Sequence, residues 1–161
     1  MYEEAIIIRK PTRDDVDQLA ELIYRFYALN EEFDSSWAIR PNAREVARKV
    51  AESYVEESEG GQYLIFIAEY AGSIVGYIKS QAEENEMFAS NRVEVIKELY
   101  VRPRVRRTGI ASQMINKVSE EASKRGAKHI AVEFPTQNYV AEDLYNKLGF
   151  RPYSTRYIKG V

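Results

Sequence analysis

The sequence predicts an α+β fold, a mixed sheet flanked by helices, and three observations predict it. Its candidate elements run β-α-α-β-β-β-α-β-α-β, which is not the regular alternation of a doubly wound fold. Two apolar runs, 62–70 and 73–80, meet across Ala71-Gly72 as a hairpin does. The chain has 161 residues, 45% hydrophobic and 30% charged, the size and balance of one globular domain with a real core. The domain assignment is therefore a single unit, 1–161, with no repeat, low-complexity tract or linker inside it.

Each element has a local reason. Ala5–Arg9 is an apolar run that reads as a first strand. Thr12-Arg13-Asp14-Asp15 has the pattern of a capping box, and Val16, Leu19, Ile23 and Phe26 give the helix after it one apolar face. Asn42 caps a second helix on which Val46, Val50 and Tyr54 align, and Gly60-Gly61 ends it. After the hairpin, Val93–Val101 is rich in β-branched and aromatic residues and stops at Pro103. From Thr108 the spacing turns helical, with Ile110, Met114, Ile115, Val118 and Ala122 on one face. Lys128–Phe134 reads as the fifth strand and Tyr139–Leu148 as the last helix, closed by Gly149. Phe150–Lys159 reads as a final strand.

Composition excludes several function classes. Net charge is −2, so the whole molecule is no obvious nucleic-acid binder, and its basic turn is local. No cysteine is present, which removes disulfides and thiol catalysis. Met1-Tyr2-Glu3-Glu4 is acidic and the next apolar run is short, so neither a leader nor a membrane span is expected and the cytoplasm is the expected compartment. His129 is the only histidine and begins a strand; no set of metal ligands accompanies it.

The chemistry concentrates at Lys97–Met114, where a strand ends, a basic turn follows and a helix begins. A helix start exposes unpaired N–H groups and partial positive charge, a natural anion site. Gly109 leaves the backbone approachable, and Arg106 and Arg107 carry charge suited to phosphate. A solvated basic turn with a packing glycine is the plain alternative. Neither a P-loop nor a three-glycine dinucleotide fingerprint is present.

Arg106-Arg107-Thr108-Gly109-Ile110-Ala111 resembles the R/Q-x-x-G-x-G/A signature of the GNAT N-acetyltransferase superfamily, and Glu98–Pro103 resembles the strand leading into it. Asn138 through Ala141 to Leu144-Tyr145-Asn146-Lys147-Leu148-Gly149-Phe150 resembles that family's N-x-x-A-x-x-L-Y-x-x-x-G-F segment. The resemblance covers nearly the whole chain and is weakest across 28–61. It implies a mostly antiparallel GNAT-like sheet and an acetyl-CoA-dependent N-acetyltransferase acting on a primary amine: a protein N-terminus, a lysine or a small amine.

By the same resemblance, the backbone from Arg106 through Arg107, Thr108, Gly109, Ile110 and Ala111 to Ser112 would hold the pyrophosphate of coenzyme A. A bulged central strand would present Leu99, Tyr100 and Val101 to the pantetheine, with Asn138 near the cofactor arm. Tyr145 would protonate the leaving thiolate. Glu98 or Glu133 would be the base, with a slight preference for Glu98; a water chain is the third route. Some polyamine-acetylating relatives carry an acid one step before Glu98, where this chain has Lys97.

The base matters because a lysine-like amine must give up a proton at a cost of about 4–5 kcal/mol at pH 7, against about 1 kcal/mol for a peptide α-amine. Glu31, Glu32 and Asp34 beside Phe33 and Trp37 would suit a cationic amine, or be solvated surface. A catalytically silent acyl-CoA sensor, or a basic turn serving an RNA or protein partner, are the competing classes. A homodimer through sheet edges or the C-terminal strand is common in the family.

Overall fold

The computed structural model describes residues 5–161; the acidic stretch Met1–Glu4 lies outside the described residues. The strands are β1 (Ile7–Arg9), β2 (Tyr63–Tyr70), β3 (Ser73–Glu84), β4 (Arg92–Val101) and β5 (His129–Val132). The helices are α1 (Val16–Glu31), α2 (Ala43–Gly60), α3 (Ile110–Lys124) and α4 (Tyr139–Lys147). The five strands form one sheet in sequence order, antiparallel throughout except for the parallel pair β4–β5. This is the mixed α+β sheet that the element order predicts.

Both faces of the sheet are covered, which is why β2 is apolar without a break from Tyr63 to Ala68. Alternation along β2 sends Leu64, Phe66 and Ala68 to one face and Ile65 and Ile67 to the other. The first set packs with Ile110, Met114 and Val118 of α3; the second packs with Leu19, Leu22 and Ile23 of α1 and Ala51 and Val55 of α2. Gly76 of β3 lies between the sheet and α3 where backbones come close. A Cβ there would stand 2.9 Å from the Tyr100 carbonyl and 3.1 Å from the Met114 methyl.

The start of α1 forms as its capping pattern predicts, through one turn of 3-10 helix at Arg13–Asp15. The buried Asp15 carboxylate accepts from the Thr12 N–H at 2.7 Å and is clamped by both Arg9 guanidinium nitrogens at 2.8 and 3.0 Å. Burial alone would push the Asp15 pKa up; the Arg9 and Thr12 hydrogen bonds outweigh it and hold it below the usual carboxylate value. Gly61 closes α2 in the left-handed region, and Ala71 and Gly72 both take positive φ to turn the hairpin.

One expected element is absent. Phe150–Lys159 does not form a strand, and residues 151–161 lie exposed, with Tyr157 91% accessible. The segment alternates with charged residues and carries Pro152, so it satisfies strand composition. It nonetheless lies on no neighbouring strand of the sheet, and a strand exists only through a ladder. No described helix is long and apolar enough to cross a membrane.

Candidate active site

The site is organised by an irregularity in β4. Opposite β3, Lys79 faces Glu98 but Ser80 faces Ile96, so Lys97 is an extra residue, a β-bulge. On its other side β4 pairs with β5 only as far as Ile96–Val132, while β4 itself runs on to Val101. The Arg102 N–H bonds the Val75 carbonyl on the β3 side at 2.8 Å. By the period of two, the backbone groups of Leu99 and Val101 turn the opposite way, into the opening beside β5. The Val101 carbonyl there accepts from Arg106 Nε at 3.0 Å. The bulge expected in the central strand is present, at Lys97, and no strand covers β4 at Leu99–Val101, while Tyr100 points its buried ring to the α1–α2 face.

At the end of this opening the basic turn forms a cradle of unpaired backbone N–H groups. A short 3-10 turn, Pro103–Val105, leads to Arg107 at φ +66 and Gly109 at φ +85, both left-handed. No N–H from Arg107 through Ser112 has a backbone acceptor among the described residues; the first helical bond runs from Gln113 to the Gly109 carbonyl. Thr108 Oγ1 bonds the Val105 carbonyl at 2.5 Å and fixes the turn from inside. A Cβ on Gly109 would meet nothing within 4 Å, so the glycine serves its backbone angle and leaves free space beside the N–H groups. Packing, the plain alternative for this glycine, is thereby excluded.

Glu98 lies on the α1–α2 face and is only 6% exposed. The Tyr77 hydroxyl donates to its Oε1 at 2.8 Å and the Tyr54 hydroxyl to its Oε2 at 2.5 Å. Burial, followed by the negative charge of Glu98, pushes the pKa of Tyr54, Tyr77 and neighbouring Tyr27 well above the usual phenol value. All three phenols therefore keep their protons at neutral pH. They come from α1, α2 and β3, and nothing local in the sequence joins them to Glu98. Their one sequence signal is Glu98 itself, a carboxylate beside Leu99-Tyr100-Val101, which needs donors where it is buried.

Beside this cluster a cavity of about 620 Å³ opens between α1 and α2. Its wall includes Tyr24, Tyr27, Trp37, Val50, Tyr54 and Glu57. Tyr54 thus touches both the cavity and Glu98. Two acids of the cluster expected to suit a cationic amine make local backbone contacts. Glu31 accepts from the Ile39 N–H at 2.5 Å, and Asp34 accepts from the Ser36 N–H at 2.8 Å. Only Trp37 of that group reaches the cavity wall.

Tyr145 sits in the opposite core, beneath the α3 side of the sheet. Its ring stacks on Phe134 at 5.3 Å and meets Phe150 edge-on at 5.4 Å. Burial raises its pKa above the ordinary phenol value. Its hydroxyl makes no hydrogen bond among the described residues and is not sealed from solvent. Glu133, the rival base, is exposed just past β5 and pairs with Lys97 of the bulge at 3.1 Å. Burial would lower the Lys97 pKa, but its bonds to Glu133 and Glu83 outweigh that and raise it. Asn138 spends its side-chain oxygen capping α4 through the Ala141 N–H at 3.1 Å. His129 is exposed at the start of β5.

Known proteins resemble the chain over most of its length. It is 29% identical over 143 residues to an uncharacterized N-acetyltransferase from Methanocaldococcus jannaschii, covering 89% of this chain but only 59% of that relative. An aminoglycoside N-acetyltransferase solved in complex with CoA superposes with a TM-score of 0.79 at 16% identity, over 99% of this chain and 97% of that one. The PaiA N-acetyltransferase of Thermoplasma acidophilum, solved with coenzyme A, gives 0.73 at 18% identity over 94% and 93%. Acetyl-CoA is the cosubstrate of the family these proteins represent. The acetyltransferase (GNAT) family model matches residues 20–150, and the chain belongs to that family.

Proposed function

We propose that the protein is an acetyl-CoA-dependent N-acetyltransferase that carries an acetyl group to a primary amine by direct attack. The observation that carries this reading is the placement of a phenol-held carboxylate, Glu98, and a buried phenol, Tyr145, on either side of one opening in the sheet. Glu98 lies on the α1–α2 face, Tyr145 on the α3 face, and the unpaired edge of β4 runs between them.

The residues present suit the cosubstrate. The unpaired N–H groups of Arg107–Ser112 and the space beside Gly109 fit a pyrophosphate. The open backbone groups of Leu99 and the Val101 N–H fit the amides of a pantetheine arm. Acetyl-CoA, when bound, supplies an activated thioester carbonyl. Glu98 takes the proton of the attacking amine, with the Tyr54 hydroxyl passing it on where the amine lies on the cavity side. As the new N–C bond forms and the C–S bond breaks, Tyr145 gives its proton to the sulfur. The raised pKa of Tyr145 keeps that proton in place until then. Glu98 is favoured over Glu133 because Glu133 is exposed and engaged by Lys97.

Release of free thiol from acetyl-CoA, measured over a panel of amines and peptides, tests the reading. The wild type is expected to turn over at least one acceptor, with Glu98→Gln and Tyr145→Phe strongly impaired. Acetyl-CoA binding without turnover of any acceptor would leave a sensor of the same fold.

A further inference from the structure

We infer that the cavity between α1 and α2 takes a primary amine carried on an aromatic or bulky apolar body, and not a polycation. The inference rests on the reading of Glu98 as the acceptor-side base, because Tyr54 joins that residue to the cavity. Three observations carry it. The wall is mainly apolar and aromatic, with Tyr24, Tyr27, Trp37 and Tyr54 around a volume of about 620 Å³, room for a drug-sized molecule.

Second, the wall has almost no free negative charge. Its one acid, Glu57, is paired with Lys79 at 3.4 Å, and Lys79 also lies over the Tyr54 ring at 4.1 Å. Glu31, Glu32 and Asp34, close in sequence, do not contribute to the wall. Third, Arg40 contributes a positive charge to the wall, and Arg44 covers the Tyr24 ring at 4.0 Å. A molecule with several ammonium groups would find repulsion here and few partners. A single amine aimed at Tyr54, with an apolar body behind it, would find contact throughout.

Trp37 is the only tryptophan of the chain and stands in the cavity wall, so its emission reports occupancy without any need for turnover. Phenethylamine, spermidine and a tripeptide beginning with Phe are titrated separately into the 161-residue chain. Phenethylamine or the Phe peptide is expected to saturate the emission change at about one-tenth or less of the spermidine concentration, the scale of burying one ring. Whichever of these two saturates at lower concentration names the source, free amine or peptide N-terminus. Val50→Phe and Ala43→Phe, which narrow the cavity, are expected to weaken that binding about tenfold while the acetyl-CoA thermal shift persists.

Spermidine binding as tightly as either apolar amine in the wild type, a comparison that needs no variant, would overturn the inference. Unchanged affinity in both folded variants would overturn it as well. Apolar-amine binding without acetyl transfer to it or to any other acceptor of the panel would refute the proposed enzyme while leaving the cavity's selectivity standing.

Discussion

The two sides of the opening beside β4 are built from different material. On the α3 side the proposed anion site is backbone: the N–H groups of Arg107–Ser112, two left-handed residues and the edge of β4 at Leu99 and Val101 that no strand covers. On the α1–α2 side the chemistry is side chain: Glu98 held by Tyr54 and Tyr77, beside a cavity walled by two helices. A backbone site must be written in consecutive residues, because it needs particular angles in a row. A side-chain site needs only that distant residues meet, and it can be rebuilt without touching its neighbours in sequence.

The sharpest way to separate the two sides is Glu98→Gln. Transfer to a lysine-like amine should fall by about 100- to 10,000-fold, the range for a lost general base, with the acetyl-CoA thermal shift intact. Loss of the shift together with activity would mean that the two sides are not independent. Tyr145→Phe should lower turnover by about 100-fold and change neither substrate's affinity. Its ring still fills the place between Phe134 and Phe150, so the melting temperature should hold.

Gly109→Ala probes the backbone side alone. A side chain at φ +85 is strained and its Cβ enters the space beside the N–H groups, so the KM for acetyl-CoA should rise about tenfold. Acceptor KM should stay unchanged; a change there would erase the distinction between the two sides. Gly76→Ala acts on the wall between them. Its Cβ would press on the Tyr100 carbonyl, and denaturant unfolding should show a loss of about 1–3 kcal/mol.

The smallest effect belongs to the clamp at the start of α1, which touches neither side. The folded-state pKa of Asp15 is depressed, so its contribution is fully present above the unfolded carboxylate pKa. That contribution is lost as pH falls through the depressed value. Asp15→Asn should therefore flatten the acid limb of the stability profile and leave the pH dependence of activity near neutrality unchanged.

The same contrast explains what could be read from the sequence. The sheet, its four helices and the cradle were legible because periodicity, the Ala71-Gly72 turn and the Arg106–Ala111 run are local signals. The bulge at Lys97 followed from resemblance alone. Tyr54 was legible as a core position on α2, but its bond to Glu98, 44 residues away, was not. Which backbone N–H a carboxylate such as Glu31 or Asp34 takes is likewise not written in the sequence. The last strand was misread for a related reason: Phe150–Lys159 has strand composition, while a ladder requires a neighbour that composition does not reveal.

The most direct test of the account is thermal unfolding of the wild type with and without saturating acetyl-CoA. At one hundred times the dissociation constant, binding adds about 2.7 kcal/mol, which for a chain of this size raises the melting temperature by roughly 5–10 °C. The account predicts that rise, reduced in Gly109→Ala and retained in Glu98→Gln. No rise in the wild type would contradict it, removing the cradle at Arg107–Ser112 as a cofactor site and the proposed transfer reaction with it.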